Sequence, residues 1–111
     1  MKHHWTVIAS IYSGRPDPRW EITDEQAHHF MELWQEAPLS ETEVVIPSIS
    51  GYKGIRMHAG EKQFLIYKEA ITCIEEKMRT SKKDKQRTME KFLLNTAPEQ
   101  IHRLFKELNI L

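Results

Sequence analysis

In the first third of the chain, the order of polar and apolar residues predicts one strand and one helix. Residues 5–12 alternate in polarity, which predicts a strand with Trp5, Val7, Ala9 and Ile11 on one buried face. Residues 24–36 repeat apolar side chains at intervals of three and four, which predicts an amphipathic helix. A capping-box pattern at residues 23–26 would begin this helix.

The remaining residues predict strands followed by two helices. Residues 43–46, 53–58, 63–67 and 70–75 predict four strands, and the polar residues 79–83 predict a connection. A helix is predicted over 84–95, and a last helix follows a second capping-box pattern at residues 96–99. The predicted order is β-α-β-β-β-β-α-α. Adjacent strands with segregated helices indicate an α+β fold, a mostly antiparallel or mixed sheet packed on helices.

The inner faces of these elements predict one shared core. Its expected members are Trp5, Val7, Ile11, Phe30, Trp34, Ile55, Phe92, Leu104 and Phe105. They lie on the inner faces of five periodic segments, so we expect large-to-small substitutions among them to lower stability.

Composition is that of one globular domain over residues 1–111. Hydrophobic residues make up 40% and charged residues 29% of the chain. The single Cys73 excludes an internal disulfide. We expect a cytoplasmic protein, because no apolar run is long enough to span a membrane and no small-residue cleavage site follows the first residues. We expect no membrane partner.

Charge is balanced overall and uneven along the chain. Residues 1–43 hold three basic residues against eight acidic ones, whereas residues 77–91 hold seven against two. The basic segment could contact nucleic acid. The neutral net charge and the lack of a recognised reader motif argue against this interpretation. The other interpretation is that the two regions complement each other within the fold or across a homodimer.

The sequence offers little support for metal or nucleophile chemistry. His3-His4 and His28-His29 are adjacent pairs, and neighbouring side chains diverge on strands and helices alike. Cys73 lies in an apolar strand pattern, where an inert buried thiol is expected. No phosphate-binding or dinucleotide motif occurs. We therefore expect no cofactor and no metal site, and the catalytic residues of any reaction are unknown.

Residues 13–20, which we call the proline loop, combine stiffness with charge. Pro16 and Pro18 fix their own φ and push Arg15 and Asp17 toward extended conformations. Gly14 permits a turn, and Trp20 is large enough to anchor the loop in the core. One interpretation is a structural crossover in which Asp17 pairs with Arg15 or Arg19. The other is a rigid platform that holds Arg15 and Asp17 outward to meet a ligand or partner.

Residues 48–54, which we call the glycine loop, form a second candidate segment. Gly51 and Gly54 allow close backbone approach, while Tyr52 and Lys53 offer a phenol and an amine. If the two loops meet, they form one site. The candidate binding residues are Ser13, Gly14, Arg15, Asp17, Arg19, Trp20, Gly51, Tyr52 and Lys53.

Three stretches carry a resemblance. "SGRPDPRW", "PSISGYKGIRM" and "DKQRTMEKFLLNTA" resemble a group of small, functionally uncharacterised bacterial proteins. These share an S-G-R-P-N-P-x-W loop, a G-Y-R-G strand start and a late Leu-rich helix. Asp17 stands where the pattern has Asn, and Lys53 where it has Arg. The resemblance implies a discrete small domain and does not indicate a catalysed reaction. It favours the proline loop as the functionally important segment.

The function predicted from the sequence is that of a small non-catalytic binding or accessory domain. It would recognise a protein, a peptide or a small anionic ligand. The alternative is a small enzyme with a site between the proline loop and the glycine loop. A second alternative is nucleic-acid binding through residues 77–91.

Overall fold

Across residues 4–111, which the computed structural model describes, seven strands form one antiparallel sheet with three helices against one face. The strands are β1 (Trp5–Ala9), β2 (Arg19–Ile22), β3 (Leu39–Ser40), β4 (Ile55–Ala59), β5 (Lys62–Tyr67), β6 (Ala70–Glu75) and β7 (Met78–Lys83). The helices are α1 (Asp24–Glu36), α2 (Thr88–Asn95) and α3 (Glu99–Glu107), with a 3₁₀ turn at Lys85–Arg87. This arrangement confirms the predicted α+β class.

The strands lie in the order β2-β1-β4-β5-β6-β7-β3. Strands β4 to β7 form a meander of hairpins, and β1 lies between β2 and β4. In this register Val7 of β1 lies opposite Trp20 of β2 and Met57 of β4. Strand β1 therefore joins the edge strand β2 to the meander.

Aromatic contacts place the helices on one face. Phe64 of β5 is fully buried, and its ring meets those of Phe30 and Trp34 of α1 edge-on, at 5.1 and 5.4 Å between centroids. Trp20 of β2 packs on Phe105 of α3 at 5.7 Å. Such large side chains supply much of the apolar burial that holds helices to a sheet.

Most of the predicted core is confirmed. The fully or nearly fully buried members are Val7, Ile11, Phe30, Trp34, Ile55 and Phe105. Trp5 and Phe92 are partly buried at its margin. Placing Leu104 in the core was wrong: it is only partly buried, because the next residue, Phe105, is the one that faces the sheet.

The opposite face of the sheet is crossed by residues 41–54, which join β3 to β4. Val44 is buried there, and its backbone N–H donates to Thr72 Oγ1 of β6 at 2.8 Å. The hydroxyls of Thr72 and Ser81 also bond to each other at 2.9 Å. The strand predicted at 43–46 is wrong, because the Val44 N–H bonds to a side chain and Val45 is 78% exposed.

Strands β2, β3 and β7 are not predicted by the pattern, and β3 has only two residues. β2 alternates exposed and buried residues, but its four residues follow directly on two prolines. β7 replaces the predicted connection at 79–83 and carries polar side chains on both faces. Its Ser81 bonds to Thr72, and Lys82 Nζ donates to the Trp34 carbonyl at 2.7 Å. Polar bonds to neighbours stabilise this strand, so no hydrophobic alternation reveals it.

Helix α1 begins as predicted. The Thr23 side chain accepts from the Gln26 N–H at 3.0 Å, and the Gln26 side chain accepts from the Thr23 N–H at 2.9 Å. This is the complete capping box that the sequence indicates.

The later helices begin differently from the predictions. The Thr96 hydroxyl accepts from Trp20 Nε1 and donates to the Leu93 carbonyl, so it does not cap α3, which begins after Pro98. Helix α2 begins at Thr88, because the preceding 3₁₀ turn contains left-handed residues.

Substitution on α3 tests this packing. Phe105→Ala should lower the free energy of unfolding by about 3–5 kcal/mol, the range for a large aromatic removed from a core. Leu104→Ala should cost clearly less, since Leu104 is partly exposed. Urea denaturation of both variants measures the difference. Equal losses of stability would contradict this assignment, because they would mean that Leu104 contributes as much to the packing of α3 as Phe105 does.

Candidate functional site

Both loops that the sequence singles out lie at the same end of the sheet. Because β1 and β4 are antiparallel, Ala9 at the end of β1 lies beside Ile55 at the start of β4. The turn at 68–69 and the segment 84–87 lie at this end as well, joined by the Asp84 N–H donating to the Glu69 carbonyl. We call this part of the molecule the site end.

The carboxylate of Asp17 points into the protein and fixes the proline loop. Its Oδ1 accepts from the N–H groups of Ile11 at 2.9 Å and Tyr12 at 2.7 Å. Its Oδ2 lies 3.9 Å from Arg56 Nη2, and the side chain is only 16% exposed. The expectations that Asp17 points outward, or pairs with an arginine of its own loop, are wrong. Backbone N–H groups beyond β1 need acceptors, and this carboxylate supplies them.

Arg15 is exposed, and its guanidinium lies 3.8 Å from the centroid of the Tyr12 ring. Such a cation–π contact contributes about 0.5–1 kcal/mol and restricts the side chain. Neither Arg15 nor Arg19 forms an ion pair with a described residue. The arginines that do form such pairs are Arg56, Arg79, Arg87 and Arg103. The proline loop therefore carries the arginines whose donors are open to a ligand.

The other proline-loop residues divide into exposed and buried. Ser13 and Gly14 are exposed, and Gly14 adopts a φ of +85°, which glycine tolerates best. Trp20 is 6% exposed, and its Nε1 donates to Thr96 Oγ1 at 2.9 Å. Trp20 thus anchors the loop in the core as predicted, and its part in any site is to hold the loop in place.

Ser10 joins the proline loop to the glycine loop. Its N–H donates to the Gly54 carbonyl at 2.9 Å, and its carbonyl accepts from the Lys53 N–H at 2.7 Å. Gly54 has a φ of +91°, and a Cβ there would lie 2.2 Å from the Ile66 carbonyl oxygen. Gly51 has a φ of +86° but faces open space. Close packing of three strands therefore depends on glycine at position 54.

Tyr52 bonds to a buried carboxylate on α2. Its hydroxyl donates to Glu90 Oε2, and Arg87 Nη2 donates to the same oxygen at 2.7 Å. Glu90 is 1% exposed, and its Oε1 has no hydrogen-bond partner within the described chain. Burial, and then the charge of Glu90, raise the pKa of Tyr52, so the phenol stays a donor at neutral pH. Sequence reasoning missed this cluster, because Arg and Glu three residues apart are typical of an exposed helix surface.

Asp84 is a second buried carboxylate at the site end, 2% exposed. Its two oxygens accept from the N–H groups of Met89 at 2.7 Å and Glu90 at 3.0 Å, which satisfies the first turn of α2. Burial raises the pKa of Asp84, and the two backbone hydrogen bonds oppose that shift. Asp84 is therefore committed to holding the helix.

Left-handed backbone is concentrated at the site end. Of the non-glycine residues between 4 and 111, six have a positive φ. Those that line two adjoining cavities are Lys68, Glu69, Gln86, Arg87 and Asn109. Each such conformation costs of order 1–3 kcal/mol and persists only where the surroundings hold it, often at a functional site.

One of these cavities is a cleft of about 310 Å³. Its walls are Tyr52, Tyr67, Lys68, Arg87, Glu90 and residues 108–110. The two tyrosine rings meet at a steep angle with centroids 6.5 Å apart, and Lys68 Nζ lies 5.4 Å from the Tyr67 ring. Aromatic walls with a few charged groups are typical of small-ligand sites.

The sheet face opposite the helices carries positive charge near the proline loop. Arg19 of β2 and Arg56 of β4 both lie opposite Ile8 of β1. Burial, and then the charges of Arg56 and Arg19, lower the pKa of His58 on the same face. The two guanidinium groups place positive charge on this face, which favours an anionic ligand.

Three of the seven basic residues of 77–91 are engaged in contacts within the fold. Lys82 Nζ donates to a backbone carbonyl of α1 and lies 4.5 Å from a tryptophan ring. Arg79 pairs with Glu43 at 3.7 Å, and Arg87 is held by the buried carboxylate of α2. These contacts support the interpretation that charge in this segment is complemented within the fold.

Comparison with known proteins assigns no family. No family model, curated protein or solved structure matches the chain. Within the part that the structure describes, no group of three or more His, Cys, Asp or Glu residues could hold a metal ion. No helix in that part is long and apolar enough to cross a membrane.

Asp17 offers a test of what fixes the proline loop. Asp17→Ala should lower the free energy of unfolding by about 2 kcal/mol, since two backbone donors lose their acceptor. Asp17→Asn should cost much less, because an amide oxygen can accept the same two bonds. Urea denaturation measures both. Equal losses would show that the carboxylate charge, through Arg56, holds the loop instead of these bonds.

The two glycines of the glycine loop form a matched pair. Gly51→Ala should cost about 1–2 kcal/mol, the strain of a left-handed conformation for a residue with a Cβ. Gly54→Ala should cost more, because its Cβ would also overlap the Ile66 carbonyl. Thermal and urea unfolding give the two values. If Gly54→Ala lowered stability no more than Gly51→Ala, the backbone at position 54 would not be packed closely against the Ile66 carbonyl.

Proposed function

We propose that this protein is a small binding domain that recognises a negatively charged protein, peptide or small ligand through the proline loop. The observation that carries the proposal is the contrast among the arginines. Arg15 and Arg19 have no carboxylate partner among residues 4–111, whereas the other arginines do. In the proposed contact surface, Ser13 and Gly14 accompany these two arginines, with Gly51 and Lys53 on the neighbouring loop.

Rigid presentation supports this proposal. The Arg15 guanidinium is stacked on Tyr12, and the backbone of Tyr12 is bonded to Asp17, which lies between the two prolines. Immobilising a flexible side chain on binding costs about 0.5–1.5 kcal/mol, and a side chain that is already restricted avoids part of that cost. The guanidinium fork also fits carboxylate and phosphate groups.

A small enzyme with its site between the two loops is the alternative. The backbone contact through Ser10 supports a shared site. However, Tyr52 is held by Glu90 as a protonated donor, and both oxygens of Asp84 are bonded to α2. These groups act as a fixed donor and a structural acceptor, so the geometry favours recognition over proton transfer.

Substituting the free arginines tests the proposal. Arg15→Ala and Arg19→Ala should leave the melting temperature nearly unchanged, because exposed charges contribute only about 0–1 kcal/mol to stability. The double variant should lose at least tenfold in affinity for a labelled poly-glutamate peptide and in capture of the native partner from a host lysate. Fluorescence anisotropy and pull-down measure the two effects.

Arg103→Ala is the matched control, since Arg103 is exposed on α3 and its ion-pair partner among residues 4–111 is Glu99 of the same helix. It should bind like the unmodified protein. Pro16→Ala should weaken binding less than loss of Arg15, because the loop is relaxed while the charge is kept. If Arg103→Ala weakened binding as much as the loop substitutions, the loss of affinity would reflect net charge alone. If the double variant bound normally, the proline loop would not be the binding site.

A further inference from the structure

We infer that the cleft beside Glu90 binds a small zwitterion of the size of a free amino acid, with an ammonium group against Glu90 and a carboxylate against Arg87 and Lys68. This site is separate from the anion-binding surface proposed for Arg15 and Arg19 and rests on different observations. Failure of one leaves the other standing.

The first observation is an unmatched acceptor. Both donors to Glu90, the Tyr52 hydroxyl and Arg87 Nη2, bond to Oε2. Oε1 is buried and has no partner in the described residues, although Glu90 lines the cleft. Buried carboxylate oxygens are ordinarily hydrogen-bonded, and leaving one unpaired is costly. The site is therefore one donor short.

The second observation concerns charge. Glu90 and Asp84 are both almost fully buried and lie within two turns of each other. Arg87 is the one cation that forms an ion pair with either of them in the part of the chain that is described. A donor to Glu90 that is also positively charged would offset the repulsion between these two buried carboxylates, so an ammonium group fits better than a neutral hydroxyl.

The third observation excludes a simple cation. Lys68 and Arg87 line the same cleft, and the Arg87 side chain remains 34% exposed. These groups repel a ligand that carries only positive charge and attract a carboxylate. Tyr67, Leu108 and Ile110 add apolar wall. A volume of about 310 Å³ is at the small end of ligand pockets, which run from about 300 to 1,000 Å³.

Titration of the full chain with each common L-amino acid tests this inference. Melting temperature and isothermal calorimetry are the readouts, with acetate and methylammonium as single-charge probes at the same millimolar concentrations. At least one amino acid should raise the melting temperature in a saturable way, as binding to the folded state requires. Acetate and methylammonium should bind at least tenfold more weakly.

Two variants locate the effect. Glu90→Gln keeps the side-chain volume but replaces the charge, and should reduce amino-acid affinity at least tenfold. Lys68→Ala, at an exposed position, should reduce it severalfold without loss of folding, whereas Lys106→Ala, exposed on α3 outside the cleft, should not.

Several results would overturn the inference. They are the absence of any saturable binding among the amino acids, equal binding of the single-charge probes, and unchanged affinity in a folded Lys68→Ala protein. A crystal structure grown with the amino acid that shows only an ordered water on Oε1 would overturn it as well, because the water would then satisfy the acceptor.

Discussion

The backbone pairing of Ser10 with Lys53 and Gly54 determines how the site end is built. It extends the contact between β1 and β4 by one residue beyond Ala9 and Ile55. Past this point the chain turns away, and the next two N–H groups donate to the Asp17 carboxylate instead of to a strand. The proline loop is therefore placed by the need to satisfy backbone donors at the end of a strand. The exposure of Arg15 follows from that placement.

Sequence patterns predicted the elements that have one dominant period and a local end signal. Helix α1 has both, and its bounds and capping box are as predicted. Strand β7 has neither, because Ser81 and Lys82 are satisfied by distant polar groups. The short run at 43–46 is rich in β-branched residues, yet it crosses a sheet face instead of joining the sheet. Propensity alone cannot distinguish these two outcomes, since only tertiary neighbours decide between them.

In the candidate site, too, features with a local sequence signal could be predicted and those that depend on tertiary neighbours could not. The stiffness and charge of the proline loop are visible locally, but the inward turn of Asp17 depends on which backbone donors lie nearby in the fold. The role of Glu90 could not be predicted, because nothing in the sequence indicates that Tyr52 of the glycine loop contacts and buries it. The left-handed pair Gln86 and Arg87 also has no glycine or asparagine to signal it. Their conformation is held from outside, by the Glu69 side chain on the Gln86 N–H and by Glu90 on Arg87.

The site end thus presents two different electrostatic environments, an exposed cationic surface and a cleft with charges of both signs. The proline loop offers cationic donors on the surface, and the cleft contains the buried Glu90 carboxylate, which is paired with the Arg87 guanidinium. The glycine loop lies between them, fixed to Ser10 through its backbone and to Glu90 through the Tyr52 side chain. A ligand shifts a conformational equilibrium only by the difference between its affinities for the two states. Because residues 52–54 of the glycine loop are held both by backbone bonds to Ser10 and by the Tyr52 side chain, a second arrangement of them would break both sets of bonds. This anchoring favours independent action of the two proposed sites over a switch that links them.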